Sequence, residues 1–133
     1  MDGRVAERVM VCMSSNTRAP RVIETGARIA AQLRARWYAV YVETPAERPD
    51  RLWPTRSAAL RHNIRLAERL GAAVVRVNAL DPADGLIAFA QREGITHVVF
   101  GQTGRTRWER VWRGSVIGKF LSAVRNAAVQ VVP

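Results

Sequence analysis

The sequence predicts an α/β fold, an open and Rossmann-like five-stranded parallel sheet with helices on both faces. Three observations predict it. Short unbroken apolar runs, Val9 to Met13 first among them, are what strands covered on both sides look like. Between these runs lie stretches whose apolar residues recur at the spacing of one helical face. The two kinds of segment alternate from end to end, which implies right-handed βαβ crossovers. With 133 residues, 48% of them hydrophobic and 24% charged, the composition is that of a folded globular chain, and one domain over 1–133 is expected.

Val9 to Met13 forms the first strand and ends at Ser14-Ser15-Asn16-Thr17, small polar residues that can cap a helix or meet a ligand. Val22, Gly26, Ile29 and Leu33 mark the inner face of a first helix that stops near Ala35. Trp37 to Val42 alternates aromatic and branched residues as a second strand. Glu43 to Pro54 holds three prolines and reads as a loop that is long for a compact domain, either mobile or functional. A second helix runs from near Arg56 to Gly71, with Leu60, Ile64 and Ala67 inward. Ala73 to Val77 is a third strand. Asp81-Pro82 opens a third helix, Gly94 closes it, and Ile95 to Phe100 is the fourth strand. Val129 to Val132 supplies the fifth.

The stretch from Thr96 to Val124 carries the chemistry. After the fourth strand come Gly101 and Gly104, then nine residues with arginines at 105, 107, 110 and 113, then Gly114-Ser115 before Val116, Ile117, Phe120, Leu121 and Val124 on one helical face. Glycines let backbone approach an anion, and a helix start offers unpaired N–H groups with a partial positive charge. A nucleotide phosphate site between Gly101 and Ser115 is expected, with Thr103 and Val116 beside it and Arg105 or Arg107 supplying charge. Ligands of parallel sheets sit at the carboxyl ends of the strands, where the chain order reverses. For the order 3-2-1-4-5 that point lies between the first and fourth strands, setting Ser14 to Asn16 opposite Gly101 to Gly104 and leaving Tyr41 and Val42 to a base.

Other classes are bounded by composition. The formal net charge of +10 draws phosphates of any kind, so nucleotides, nucleic acid, acidic lipid and acidic partner domains all stay open. The basic residues are scattered and accompany no nucleic-acid motif, so no specific nucleic-acid partner is expected. Cys12 is alone and sits in an apolar strand, a core residue by this reading. His62 and His97 lack ligand spacing, so no metal site is expected. No run reaches the roughly 18 apolar residues of a spanning helix, and the first apolar run is too short for a signal peptide; no membrane insertion and a cytoplasmic location are expected. Trp108 and Trp112, four apart among the loop arginines, suit a protein-interaction surface.

Gly101-x-x-Gly104, nine residues, then Gly114-Ser115 resembles the phosphate motif of the ATP-binding branch of the universal stress protein family, and the resemblance extends over about Glu7 to Val132. ERVMVCMSSNTRAPRVIETGARIAAQL, RWYAVYVETP, RHNIRLAERLGAAVV and GRTRWERVWRGSVIGKFL look like the universal-stress-protein domain of the KdpD sensor histidine kinases of bacterial potassium uptake. That resemblance implies the adenine nucleotide alpha hydrolase-like version of the Rossmann fold. It implies ATP as ligand, with Mg2+ possible beside it, and as partners the other domains of a sensor kinase, another universal stress protein, or a second copy in a homodimer. ATP-binding members carry an aspartate after the first strand, where this chain has Ser14-Ser15-Asn16. Some KdpD-branch members bind cyclic di-AMP through Ser-x-Ser, twenty residues, and Phe-Thr-Ala-x-Tyr. Here Ser14-x-Asn16 is followed, after twenty residues, by Trp37-Tyr38-Ala39-Val40-Tyr41, keeping Ala39 and Tyr41 of that pattern.

The expected function is a non-enzymatic, adenine-nucleotide-binding regulatory domain of, or acting with, such a kinase. No nucleophile–base or carboxylate pair is placed for catalysis, with a slow ATPase left open. Two alternatives stand beside it: a cyclic di-AMP domain built on Ser14, Asn16 and Tyr41, and an interaction module with a vestigial pocket.

Overall fold

The computed structural model describes residues 6–13, 19–45, 54–101 and 116–132. Its elements are β1 (Arg8–Met13), α1 (Ala19–Leu33), β2 (Arg36–Glu43), α2 (Pro54–Arg69), β3 (Ala73–Asn78), α3 (Pro82–Glu93), β4 (His97–Gly101), α4 (Val116–Ala123) and β5 (Ala128–Val132). The strands pair in the order β3-β2-β1-β4-β5, each ladder parallel, as the alternation of strand and helix predicts.

The strand alternation of inward and outward side chains divides the core in two. Val9, Val11 and Met13 of β1, Trp37, Ala39 and Tyr41 of β2, and Val99 of β4 face α1 and α2. Met10, Tyr38, Val40, Val98 and Phe100 face α3 and α4, where Phe120 is fully buried. Edge-to-face ring pairs, Tyr38 on Phe89 at 5.4 Å and Phe100 on Phe120 at 5.5 Å, tie that second layer to the sheet. Strands buried on both faces are why the central runs are apolar without alternation.

Helix ends follow local chemistry. Asp81 caps α3, its carboxylate accepting from the Ala83 amide at 2.8 Å, with Pro82 next in line. Gly94 closes α3 at φ 63°, and Gly71 closes α2 at φ 96°. The end of α1 departs from expectation. The helix stops at Leu33, and Arg34 takes the left-handed position at φ 52° while the Ala35 amide donates back to the Ala30 carbonyl at 2.8 Å. This is a Schellman turn with a non-glycine residue where a Cβ is strained. The second helix begins two residues earlier than its apolar pattern suggests, at Pro54, because proline suits a first helical turn.

At the N-terminal edge of the sheet, Thr96 stitches β4 to β1. Its hydroxyl accepts from the Arg8 amide at 2.9 Å, and its amide donates to the Arg8 carbonyl at 2.9 Å. The Arg8 guanidinium donates to the Glu93 carbonyl at 2.7 Å, and His97 lies 3.2 Å from Glu7. His97 therefore has a structural setting, and His62 is exposed on α2.

Two stability outcomes follow from these backbone positions. A methyl group added at Gly26 meets the fully buried Val11 side chain, so Gly26→Ala should lose about 1–2 kcal/mol in urea unfolding despite alanine's better helix propensity. Arg34→Gly should gain about 1 kcal/mol in the same assay by removing the left-handed strain.

Candidate functional site

Register shapes the carboxyl edge of the sheet. Met13, the last residue of β1, pairs with Tyr41, so β2 continues two residues further to Glu43, which pairs with Asn78 at the end of β3. On the other side Val11 pairs with Val99; continuing that register sets Gly101, the last residue of β4, level with Met13. Among the described residues β1 and β4 thus end level with each other. These two strands bracket the point where the chain order reverses, the place at which parallel sheets bind ligands.

Three helices that begin at this edge differ in charge. α3 carries its own acids, Asp81 at the cap and Asp84 in the first turn, and Lys119 of α4 bridges them at 3.1 Å and 2.7 Å. Desolvation would raise the Asp81 carboxyl, but the Ala83 amide and the Lys119 ammonium outweigh it and hold it below the ordinary aspartate range. Hydrogen bonds to Asp84 and Asp81 raise Lys119 in turn. The positive end of α3 is therefore already answered. Among the described residues, α1 and α4 have no acid in their first turns.

The sequence-predicted residues fall as follows. Gly101 closes β4, pairs with Val132, and is not in the left-handed region. Its missing side chain has a packing cause: a Cβ there would come within 2.7 Å of the Val22 Cγ2 on α1. Val116 is the first residue of α4. Tyr41 and Val42 face opposite layers of the sheet. Tyr41 is buried on the α1/α2 face, whereas Val42 points to the other face against Gly85, because adjacent strand residues alternate. Ser14, Ser15, Asn16, Thr103, Gly104, Arg105, Arg107, Gly114 and Ser115, with Trp108 and Trp112, lie outside the described residues.

The Trp37–Tyr41 stretch, read against the cyclic di-AMP pattern, is buried along its length, and Trp37 pairs with Val9 near the far edge of the sheet. Its rings serve the core. Cys12 lies on the α3/α4 face, partly covered, and burial pushes its thiol well above the ordinary range, so the reactive thiolate is suppressed. Among the described residues no group of three His, Cys, Asp or Glu is placed to hold a metal ion, and no helix is long and apolar enough to cross a membrane.

Sequence reading missed two features here. Lys119 looks like an ordinary exposed residue of a helix, yet it ties α4 to α3. Thr44, just past β2, is among the few buried polar residues; its neighbour Pro45 marks the strand end but gives no sign of burial.

The Universal stress protein family model matches residues 6–131. The sensor protein KdpD of Escherichia coli (strain K12) is 29% identical over 128 residues, which is 95% of this chain and 14% of that protein. The putative sensor protein KdpD of Synechocystis is 21% identical, over 96% of this chain and 34% of that protein. The chain thus spans a minor part of the curated relatives it matches. Among solved structures, a universal stress protein in complex with cAMP superposes with a TM-score of 0.71 at 22% identity, over 98% of both chains. The universal stress protein from Archaeoglobus fulgidus in complex with dAMP gives 0.62 at 18% identity, over 97% of this chain and 98% of that one. At these identities the likeness is one of fold.

The Asp81–Lys119 contact sets a pH dependence. A carboxyl lowered on folding contributes stability above the unfolded aspartate value, about 3.9, and loses it as pH falls through the lower folded value. Lys119→Ala should therefore flatten the acid limb of a stability–pH curve below about pH 4, while Asp81→Ala should also cost about 1 kcal/mol at neutral pH through the lost cap, both read from thermal unfolding.

Proposed function

The chain belongs to the universal stress protein family, and from that premise we propose that it is an adenine-nucleotide-binding regulatory domain of, or acting beside, a KdpD-type sensor kinase. One observation carries the reading. The Gly-x2-Gly-x9-Gly-Ser motif begins on Gly101, the last residue of β4, and ends immediately before Val116, the first of α4, so it connects a strand end to a helix start at the switch point. That is the setting in which glycine backbone and helix N–H groups serve a phosphate.

The ligand-bearing relatives support the choice of nucleotide, since one fold neighbour is titled a complex with cAMP and another a complex with dAMP. In this reading ATP places its phosphates between Gly101 and Ser115, with Thr103 and Gly104 contributing backbone and hydroxyl groups and Arg105 or Arg107 adding charge. Mg2+ accompanies the phosphates through water and phosphate oxygens, the usual mode for that ion. Ser14 and Asn16 serve the ribose, and the base lies toward the end of β2. Because Val42 faces the α3 side and Tyr41 does not, the Val42 side and the main chain form the base wall.

The domain binds and does not catalyse; any kinase activity belongs to other parts of a sensor protein. KdpD partnership is supported by the match of nearly the whole chain to sensor proteins of that name. The location that goes with such a role is the cytoplasm.

Titration with ATP, AMP and cyclic di-AMP at physiological salt tests the reading. ATP should bind and Gly104→Val should abolish binding while leaving the thermal transition in place; equal affinity in wild type and variant would refute the phosphate-loop assignment. Preference for cyclic di-AMP over ATP would shift the assignment to that ligand, and no binding of any of them would favour an interaction module.

A further inference from the structure

We propose that the outer face of α2, together with the turn that ends α1, docks an acidic helix of a partner protein. This surface runs down to the amino edge of the sheet, away from the candidate nucleotide site, and does not depend on it.

Arg61, Arg65 and Arg69 are exposed and stand four residues apart, so they line one side of α2. Like charges at that spacing destabilise a helix by themselves. Glu68 is the one acid of α2, and among the described residues it forms no ion pair. Arg61 donates to the Ser57 hydroxyl at 2.9 Å, while the guanidinium groups of Arg65 and Arg69 have no partner among the described residues.

The end of α1 adds an independent observation. Arg34 takes the left-handed position at φ 52°, where glycine is the unstrained choice, and its exposed guanidinium is also unpartnered among the described residues. Strain of this kind persists where the side chain serves something beyond the local turn. Tyr38 pairs with Ala73, and that register sets the start of β2 level with Gly71, so the ends of α1 and α2 come to one corner of the amino edge. Leu33 and Leu70, both exposed, stand where the two helices end. The indole nitrogen of Trp37 lies 3.9 Å from where a Cβ of Gly71 would be, and its N–H has no acceptor among the described residues.

This pattern fits one kind of occupant. The arginines rise about 6 Å per step, and carboxylates four residues apart on another helix repeat at the same interval. The two leucines at the foot of the row receive an apolar side chain from that helix. A bilayer or a nucleic acid presents a continuous negative field, which Glu68 within the row opposes, and two leucines offer little area for lipid. A helix can face Glu68 with a neutral or basic residue.

The test titrates the whole chain, by calorimetry, with a synthetic helical peptide of about 20 residues in which glutamates recur at helical spacing beside leucines. Binding should saturate, weaken as salt rises, and vanish for the same peptide with glutamine in place of glutamate. Arg61→Gln, Arg65→Gln and Arg69→Gln combined should weaken it about tenfold, and Arg34→Gly about two- to fivefold although that variant melts at a higher temperature than wild type. Arg125→Gln, which removes the same charge beyond α4, should leave affinity unchanged. No binding of the peptide, undiminished binding by the triple variant or by Arg34→Gly, or an equal loss in Arg125→Gln overturns the proposal. Tighter binding to anionic phospholipid vesicles or to duplex DNA, lost in the same variants, also overturns the acidic helix and gives the surface to that polyanion.

Discussion

The close approach of α1 to the sheet governs this molecule. The helix lies so near β1 and β4 that neither Gly26 nor Gly101 has room for a Cβ: the first is filled by Val11 reaching up from the sheet, the second by Val22 reaching down from the helix. The contact is reciprocal, a helix glycine under a strand valine and a strand glycine under a helix valine. It fixes the first turns of α1 against the end of β4, although β4 is distant in sequence. The last described residues of β1 and β4, Met13 and Gly101, therefore sit in a packed junction under the same helix. Close-packed interiors accept little change of volume, so their positions are set by the core.

Charge is distributed on this frame in a way that the total of +10 conceals. The exposed arginines Arg21, Arg28, Arg61, Arg65 and Arg69 lie on α1 and α2, where Glu24 and Glu68 are the exposed acids. On the opposite layer the acids Asp84 and Glu93 balance Arg92 and Lys119, and Asp81 adds a further negative charge. The positive end of α3 is answered by its own acids Asp81 and Asp84, whose charge Lys119 balances, while among the described residues α1 and α4 carry no first-turn acid.

How much of this could be read from the chain alone depends on whether a feature is local. The five strands, their order and the α3 ends at Asp81 and Gly94 follow from apolar runs, caps and alternation, all of which are written in a few consecutive residues. Arg34 was not legible, because nothing in its neighbourhood distinguishes a left-handed arginine from one more helical residue. Gly101 looked like a cradle for an anion, and the reason its side chain is missing includes Val22, far off in sequence. The opposite orientation of Tyr41 and Val42 follows from strand period alone. Thr44 is buried by tertiary packing, which leaves no mark in the sequence. Of the expected phosphate motif, the structure describes the two residues that bracket it, Gly101 and Val116.

The contacts that hold this edge of the domain are of unequal strength. The sheet core around Val9, Val11, Ala39, Val40 and Val99 is fully buried and offers no slack. α4 is different: its Phe120 reaches the core, and it is held to α3 by the exposed contacts of Lys119 with Asp81 and Asp84. Exposed ion pairs are individually weak and break without much resistance, whereas the buried aromatic contact of Phe120 with Phe100 does not.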